Sequence, residues 1–173
     1  MKVLTFDIAT STGVAYGAAG GTPRTATIDL GKGLPDVERF AKAIRMTKHY
    51  LEEYRPDAVF TEAPIGGKNA SQFLIGVAAC VRGQTGLMGF PVHSVNVASV
   101  RKHFLGRHYV KADFPTLSTA MTKKEIKRLV QDRCALLGWR VDGDDQADAA
   151  ALWDYACAKM RVHQSTPSGG LFT

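Results

Sequence analysis

Four acidic residues in three separate parts of the chain have the types and settings that metal-assisted chemistry requires. Asp7 follows the apolar run VLTF, and Glu62 follows AVFT. Asp145 and Asp148 stand three residues apart at the start of the alanine-rich segment DQADAAALWDYA. Carboxylates that a fold brings together repel one another unless a hard cation such as Mg²⁺ neutralises them. The sequence therefore predicts Asp7, Glu62, Asp145 and Asp148 as catalytic residues and as ligands of two Mg²⁺ or Mn²⁺ ions, a set suited to phosphodiester hydrolysis.

Each of these acids also has a simpler explanation. Asp7 at the end of a strand can cap the turn that follows it, and acids at a helix N-terminus are favoured by the helix dipole. However, an Asp within an apolar run costs several kcal/mol unless it is paired or binds a metal. The small residues after Asp148 let that helix press on a sheet, with its acidic face toward the strand ends. Asp142 and Asp144 are predicted to be solvated loop or cap residues.

The composition indicates a globular domain with a basic surface. The 173 residues are 45% apolar and 22% charged, enough for one domain with a full core. The net charge of +6 would concentrate polyanions around an acidic centre. Apolar runs fall short of the ~20 residues that span a bilayer, and the N-terminus indicates a strand rather than a signal peptide. We therefore predict a cytoplasmic protein without membrane contact, with Cys80, Cys134 and Cys157 as core residues rather than disulfide or zinc ligands.

Hydrophobic periodicity predicts a mixed α/β domain over residues 1–163, with a flexible tail at 164–173. Apolar runs predict strands at 2–9, 13–19, 24–30, 57–63 and 91–96. Helical spacing predicts helices from Pro35 to Pro56, from a cap at Asn69 to about Gly86, over 97–106, from a capping box at Thr122 to about Leu137, and from Asp144 to about Val162. One face of the first helix would carry Val37, Phe40, Ala41, Ile44, Lys48, Leu51 and Tyr54. An antiparallel meander followed by βαβ units gives a mixed five-stranded sheet flanked by helices.

Three blocks of the sequence, in order, resemble the RuvC-type Holliday-junction resolvases of the ribonuclease-H-like superfamily. These blocks are FDIATSTGVAYG, TEAPIGGKNASQFLIG and QADAAALWDYA, and the resemblance runs from residue 2 to about 160. It implies a ribonuclease-H-like fold and a homodimer that makes paired symmetric nicks in a four-way DNA junction with Mg²⁺ or Mn²⁺. That activity is the one of a crossover junction endodeoxyribonuclease. The resemblance also implies basic residues near the scissile phosphate at Arg101 and, as a further catalytic residue, Lys123.

Basic residues cluster in three segments that we predict to contact DNA phosphates. One group forms a stripe on the fourth helix, a second lies beside a long loop at 106–121, and a third follows Glu62. The predicted DNA-binding residues are Lys68, Asn69, Arg101, Lys102, Arg107, Lys111, Lys123, Lys124, Lys127 and Arg128. The helix from Asn69 to about Gly86 is a candidate dimer element, although ordinary core packing explains its pattern equally well.

Two departures from the resolvase pattern leave other functions open. Ile65 stands where the family commonly has an aromatic, and the loop at 106–121, with Tyr109, Lys111 and Phe114, is longer than expected. These departures are compatible with a phage- or plasmid-encoded relative. The alternatives are a nuclease that cuts branched DNA or an RNA–DNA hybrid, and a catalytically silent junction-binding protein. FDIATSTG also resembles the first phosphate loop of sugar-kinase and actin-like ATPases, but 173 residues cannot supply the two domains that such proteins need.

Overall fold

A five-stranded mixed sheet forms the centre of the computed structural model, which describes residues 1–64 and 71–165. Its strands are β1 (Lys2–Asp7), β2 (Ser11–Ala18), β3 (Arg24–Asp29), β4 (Ala58–Glu62) and β5 (Val92–Val95), in the order β3-β2-β1-β4-β5. β1, β2 and β3 form an antiparallel meander, whereas β4 runs parallel to both β1 and β5. The predicted fold class, an α/β mixed sheet of five strands flanked by helices, is confirmed.

Helices cover both faces of the sheet. They are α1 (Asp36–Tyr54), α2 (Gln72–Leu87), α3 (Val97–Leu105), α4 (Thr119–Leu136) and α5 (Asp144–Ser165), with a 3-10 turn at Lys111–Asp113 between α3 and α4. One apolar core lies between the sheet and the pair α1 and α2, and the other lies beneath α3, α4 and α5. Among the described residues, no helix is both long and apolar enough to cross a bilayer. α5 extends to Ser165, two residues into the predicted tail at 164–173, so the predicted domain boundary stays a prediction.

The alternation of side chains along β1 and β4 sends their last residues to the face that α5 covers. Val3 and Thr5 of β1 belong to this face, whereas Leu4 and Phe6 point into the core beneath α1. Because strand side chains alternate with a period of two, Asp7 lies on the α5 face as well. On β4, Ala58 and Phe60 face α5, so Glu62 does too. The parallel register pairs Thr5 with Phe60, and it therefore places Asp7 beside Glu62.

Small residues on β2 allow α5 to lie very close to the sheet. Gly13 pairs with Asp7 in the antiparallel register, and a Cβ at position 13 would lie 1.9 Å from the backbone oxygen of Asp145. The buried hydroxyl of Thr5 donates toward the carbonyl of Ala149, at 2.9 Å. One turn further along α5, the indole N–H of Trp153 donates to a carbonyl of β2 at 3.4 Å. The first turns of α5 are thus held directly over the ends of β1 and β2.

The structure corrects two predicted helix starts. α4 begins at Thr119, where the Ser118 side chain accepts a hydrogen bond from the Met121 N–H, and the predicted capping box at Thr122 is wrong. Thr122 instead lies on the buried face of the helix. α2 begins at Gln72 with Ser71 as its N-cap, whereas the predicted cap, Asn69, lies outside the described residues. Both real caps are Ser residues a few positions from the predicted ones.

The predicted buried face of α1 was wrong at its edges. Val37 is 73% exposed and Ile44 is 39% exposed, and the buried residues are Ala43, Met46, Thr47 and Leu51. The burial of a polar Thr47 is possible because its hydroxyl donates to the carbonyl of Ala43 within the helix. The helix is therefore rotated relative to the face that its largest apolar residues suggest.

The three cysteines are free thiols, and two of them are the buried core residues that the sequence predicted. Cys134 and Cys157 are core residues beneath α5, and burial raises the pKa of each thiol to about 12. Cys80 is only half-buried, on the edge of the core beneath α1. Among the described residues these thiols make no disulfide.

Candidate active site at the strand ends

The fold brings the four predicted acids together. Burial raises the pKa of Asp7 well above its ordinary value, and the charges of Glu62, Asp148 and Asp145 raise it further. These four residues come from β1, β4 and the first turns of α5, and each side chain is partly buried. Carboxylates influence one another in this way only when they are close and poorly screened by water. Residues separated by up to 141 positions in sequence therefore form one acidic cluster: Asp7, Glu62, Asp145 and Asp148.

The pKa values of Glu62 and Asp148 are raised as well. Burial and then the charge of Asp148 raise the pKa of Glu62 to about 7, although a hydrogen bond with Asp7 opposes this rise. Burial is also the first cause of the raised pKa of Asp148, with Asp144 and Asp145 adding to it. A hydrogen bond between the carboxyl groups of Asp7 and Glu62 requires a proton on one of them, and this proton partly offsets the repulsion between the two groups.

The charges of two cations from different helices act on the carboxyl groups of this cluster. Arg101 of α3 and Lys127 of α4 both lower the pKa values of Glu62 and Asp148, and Lys127 also lowers that of Asp7. The Nε of Arg101 is buried and has no hydrogen-bond partner within residues 1–64 and 71–165. Lys123, the predicted catalytic lysine, is exposed one helical turn before Lys127. Its catalytic role stays a prediction.

The structure gives Asp144 partners that the sequence did not predict. Its side chain is 42% exposed, and its carboxylate lies 3.1 Å from Nζ of Lys127 and accepts a hydrogen bond from the side-chain amide of Gln131. It occupies the first turn of α5, immediately before Asp145. Asp142 is exposed, in agreement with its prediction as a loop residue. Asp144 therefore links α4 to the N-terminus of α5 at the edge of the acidic cluster.

The predicted DNA contacts divide into exposed cations and cations with partners on the protein. Arg128 is held by Glu125, with N–O distances of 2.6 and 3.0 Å, and by Asp132. Arg107 pairs with Asp113 and stacks near the Tyr109 ring, so the loop after α3 is internally braced. Lys102, Lys123 and Lys124 are exposed. The Nζ of Lys111 donates to the carbonyl of Phe114 at 3.0 Å. Lys68 and Asn69 lie outside the described residues, as does Ile65.

Arg39 was missed by the sequence reasoning. Its guanidinium group donates to Thr10 in the β1–β2 turn at 3.1 Å and lies 3.3 Å from the centroid of the Phe73 ring at the start of α2. Phe40 stacks on the same ring, with centroids 5.8 Å apart. Arg39 thus joins the turn after Asp7 to the helix that follows the Glu62 segment. Apart from its ion pair with Asp36, Arg39 contacts residues that are distant in sequence, so no local pattern indicates this role.

The donor set of the cluster fits a hard divalent cation, although the side chains are not gathered around one. Four carboxylates provide only oxygen ligands, which Mg²⁺ and Mn²⁺ prefer. Burial, followed by the neighbouring carboxylates, raises the pKa values of Asp7, Glu62 and Asp148 even though nearby cations lower them. Within the described part of the chain, no three His, Cys, Asp or Glu side chains are already arranged to hold a metal ion. A bound cation would therefore require these carboxylates to reorient.

The raised pKa of Glu62 predicts how the stability of the metal-free protein depends on pH. Its carboxyl titrates near its ordinary value of 4.5 when unfolded and at about 7 when folded, so the folded state binds more protons in this window. Stability should therefore fall as pH rises from about 4.5 to about 7, by at most about 3 kcal/mol from this group. Urea unfolding in EDTA at pH 5, 6, 7 and 8 measures this slope. Glu62→Gln should flatten it, and an unchanged slope in that variant would contradict the assignment.

Comparisons with known proteins identify the fold. No family model matches the sequence, and no curated protein matches it. RuvC from Thermus thermophilus in complex with a Holliday junction substrate is similar, with a TM-score of 0.73 and 19% identity over 94% of this chain and 96% of that chain. Thermus thermophilus RuvC in another structure gives 0.66 and 20% identity, over 93% and 97% of the two chains. The yeast mitochondrial Holliday junction resolvase Ydc2 gives 0.53 and 12% identity, over 94% and 81%.

The chain therefore has a ribonuclease-H-like α/β fold. More narrowly, it has the form of that fold found in the RuvC Holliday junction resolvases, matched over nearly the full length of both chains. The resemblance predicted from three sequence blocks is confirmed at the level of the fold.

Proposed function

We propose that this protein is a metal-dependent endonuclease that resolves four-way DNA junctions by paired symmetric nicks. The observation that carries the proposal is the acidic cluster, in which the pKa of Asp7 responds to Glu62, Asp148 and Asp145 from two other elements. The fold supports the choice of substrate, because the solved structures that share it include RuvC bound to a Holliday junction substrate. The proposed activity is that of a crossover junction endodeoxyribonuclease.

The proposed chemistry assigns one task to each group of side chains. Asp7, Glu62, Asp145 and Asp148 would hold Mg²⁺ or Mn²⁺. The bound ions would activate water and stabilise the leaving oxygen of the phosphodiester. Asp7 and Glu62 are held by neighbouring strands, and Asp145 and Asp148 are held by the close packing of α5 on β2. Rigid elements of this kind hold reacting groups in place without loss of entropy during the reaction.

The surroundings of the cluster suit a polyanion. Arg101 and Lys127 lie at the edge of the acidic cluster, where a scissile phosphate would enter, and the exposed Lys102, Lys123 and Lys124 extend the positive charge along α3 and α4. Contacts to phosphates would contribute affinity without sequence information. Junction binding should therefore weaken steeply as salt concentration rises.

The symmetry of the substrate favours a homodimer. A C₂ dimer presents two equivalent sites to two equivalent strands of a four-way junction. α2 remains the candidate dimer element, and its Ile75 and Leu87 side chains are 43% and 82% exposed. Light scattering of the purified protein, alone and with a junction, tests this part of the proposal. The cytoplasmic location and the phage or plasmid origin stay predictions.

A labelled four-way junction tests the proposed function directly. With Mg²⁺ or Mn²⁺ we expect nicks at symmetric positions in two opposing strands, and no nicks in EDTA. A linear duplex of the same sequence, a three-way branch and an RNA–DNA hybrid serve as controls. Nicks without symmetry, or cutting of the branch or the hybrid, would favour the related-nuclease alternative. Binding of the junction without any cutting in either metal would favour the silent junction-binding protein.

A further inference from the structure

We infer that Lys127 is a built-in counter-cation of the acidic cluster, tethered by Asp144, and that it competes with the divalent metal ions for the cluster's negative charge. The inference rests on the proposed metal-dependent function. It assigns to Lys127 a role inside the site, whereas the sequence suggested only a contact to DNA phosphate. It also gives Asp144 the role of a positioning residue, since this side chain acts through the lysine that it holds.

The geometry comes from the packing of α4 on α5. The Nζ atom of Lys127 lies 3.1 Å from one carboxylate oxygen of Asp144, and the side-chain amide of Gln131, one helical turn further along α4, donates to the other oxygen. Asp144 precedes Asp145 and lies one helical turn before Asp148. The Lys127 side chain is 37% exposed and thus half-buried. The ion pair holds its ammonium group against Asp144 in the first turn of α5, the residue that precedes Asp145.

The reach of this charge separates Lys127 from other basic residues of α4. It lowers the pKa values of Asp7, Glu62 and Asp148, which come from three different elements. The ammonium group itself responds to the cluster: burial would lower the pKa of Lys127, but Asp144, Asp148 and Asp145 raise it overall. Arg128, the next residue, is held by Glu125 and Asp132 instead.

A cation in this position has opposite effects on the two states of the site. In the metal-free protein it reduces the repulsion among the carboxylates and thereby stabilises the fold. When a divalent ion binds, the same ammonium group repels it. Removing the lysine should therefore destabilise the metal-free protein and strengthen metal binding, whereas a purely structural lysine would weaken both. Removing Asp144 should weaken metal binding, because it deletes one negative charge and releases Lys127 toward the carboxylates.

Calorimetric titration of metal-free protein with Mn²⁺, together with thermal melts in EDTA, tests this inference without any cleavage assay. We expect Lys127→Met to bind Mn²⁺ at least about tenfold more tightly than the wild type, as a unit charge at an effective dielectric constant near 20 implies. Its melting temperature in EDTA should be lower. Asp144→Asn should bind Mn²⁺ at least about threefold more weakly, and Lys127→Arg should resemble the wild type.

A lysine on α5 provides the matched control. Lys159→Met makes the same change of charge on an exposed residue roughly 16 Å along the helix from Asp148, and it should leave Mn²⁺ affinity unchanged. Equal or weaker Mn²⁺ binding by Lys127→Met than by the wild type would overturn the inference alone. If Lys127→Met does not fold, unchanged or tighter binding by Asp144→Asn overturns it. A wild type that binds no Mn²⁺ would overturn the metal-dependent function as well.

Discussion

Replacing Asp7 with asparagine should reduce junction cleavage by at least about 100-fold while junction binding persists. Loss of a residue that only supports a metal ligand typically costs about 10–100-fold, and a direct ligand should cost more. Asp7 is central to the cluster, since its pKa is raised by burial and by the other three acids together. DNA affinity should survive because the positive charge of α3 and α4 is untouched. Cleavage rates at saturating Mg²⁺ and gel-shift titrations measure the two effects separately.

The same variant should be more stable than the wild type when metal is absent. Asparagine has nearly the same shape as aspartate but carries no charge, so it removes the cost of burying a carboxylate and the repulsion from the other three acids, which together raise the pKa of Asp7. We expect a higher melting temperature in EDTA at pH 8 and a smaller difference at pH 5, where the carboxyl groups are closer to neutral. Asp142→Asn, on an exposed residue, is the matched control for both measurements. Cleavage at the wild-type rate by Asp7→Asn would refute the proposed site.

The sequence predicted the acidic cluster well because its signals are local. An Asp or Glu at the end of a buried run is visible in a few residues, and the parallel strands needed to bring Asp7 and Glu62 together follow from the βαβ order. The alternation of side chains then decides the face, since Thr5 and Phe60 pair in register on the side that α5 covers. The placement of Asp7 and Glu62 on one face of the sheet follows from this alternation alone. The same local signals supported the resemblance by which the fold was recognised.

The errors arose where tertiary packing outweighs local pattern. In α1 the largest apolar residues suggested a buried face, but Val37 is exposed, whereas the small polar Thr47 is buried with its hydroxyl bonded to the Ala43 carbonyl. Thr122 has a side chain suited to a helix N-cap, but Ser118, four residues earlier, caps α4 instead. A short motif cannot decide between two competent caps.

The sequence also could not show which residues the charged side chains pair with. Lys127 was one of four basic residues on a stripe, and nothing local separates it from Lys123 or Arg128. The difference lies in α5, whose Asp144 meets Lys127, while Arg128 is met by Glu125 and Asp132 on its own helix. Asp144 was judged by its position at a helix start, which explains an acid there without any partner. Only the packing of α4 on α5 gives it a specific role.

An alanine at position 13 should displace α5 and with it half of the acidic cluster. The added Cβ would lie 1.9 Å from the backbone oxygen of Asp145 and 2.6 Å from its carbonyl carbon. Neither contact can be relieved by rotation of a side chain, so the first turn of α5 must move away from β2. Forcing extra atoms into a packed interior costs about 1–3 kcal/mol, and a backbone clash should fall at the upper end of that range.

The displacement should reduce cleavage even under conditions where the variant is folded. Asp145 and Asp148 would move relative to Asp7 and Glu62, which are fixed on the sheet, and a misplacement of about 1 Å can cost about 100-fold in rate. Urea unfolding and junction cleavage at a temperature well below the melting transition measure the two losses. Gly83→Ala, the same substitution at an exposed position of α2 with open space around it, should instead stabilise the protein by about 0.5–1 kcal/mol. If Gly13→Ala retained wild-type stability and activity, α5 would not lie against β2 as closely as the structure places it, and the position of its acids would need another explanation.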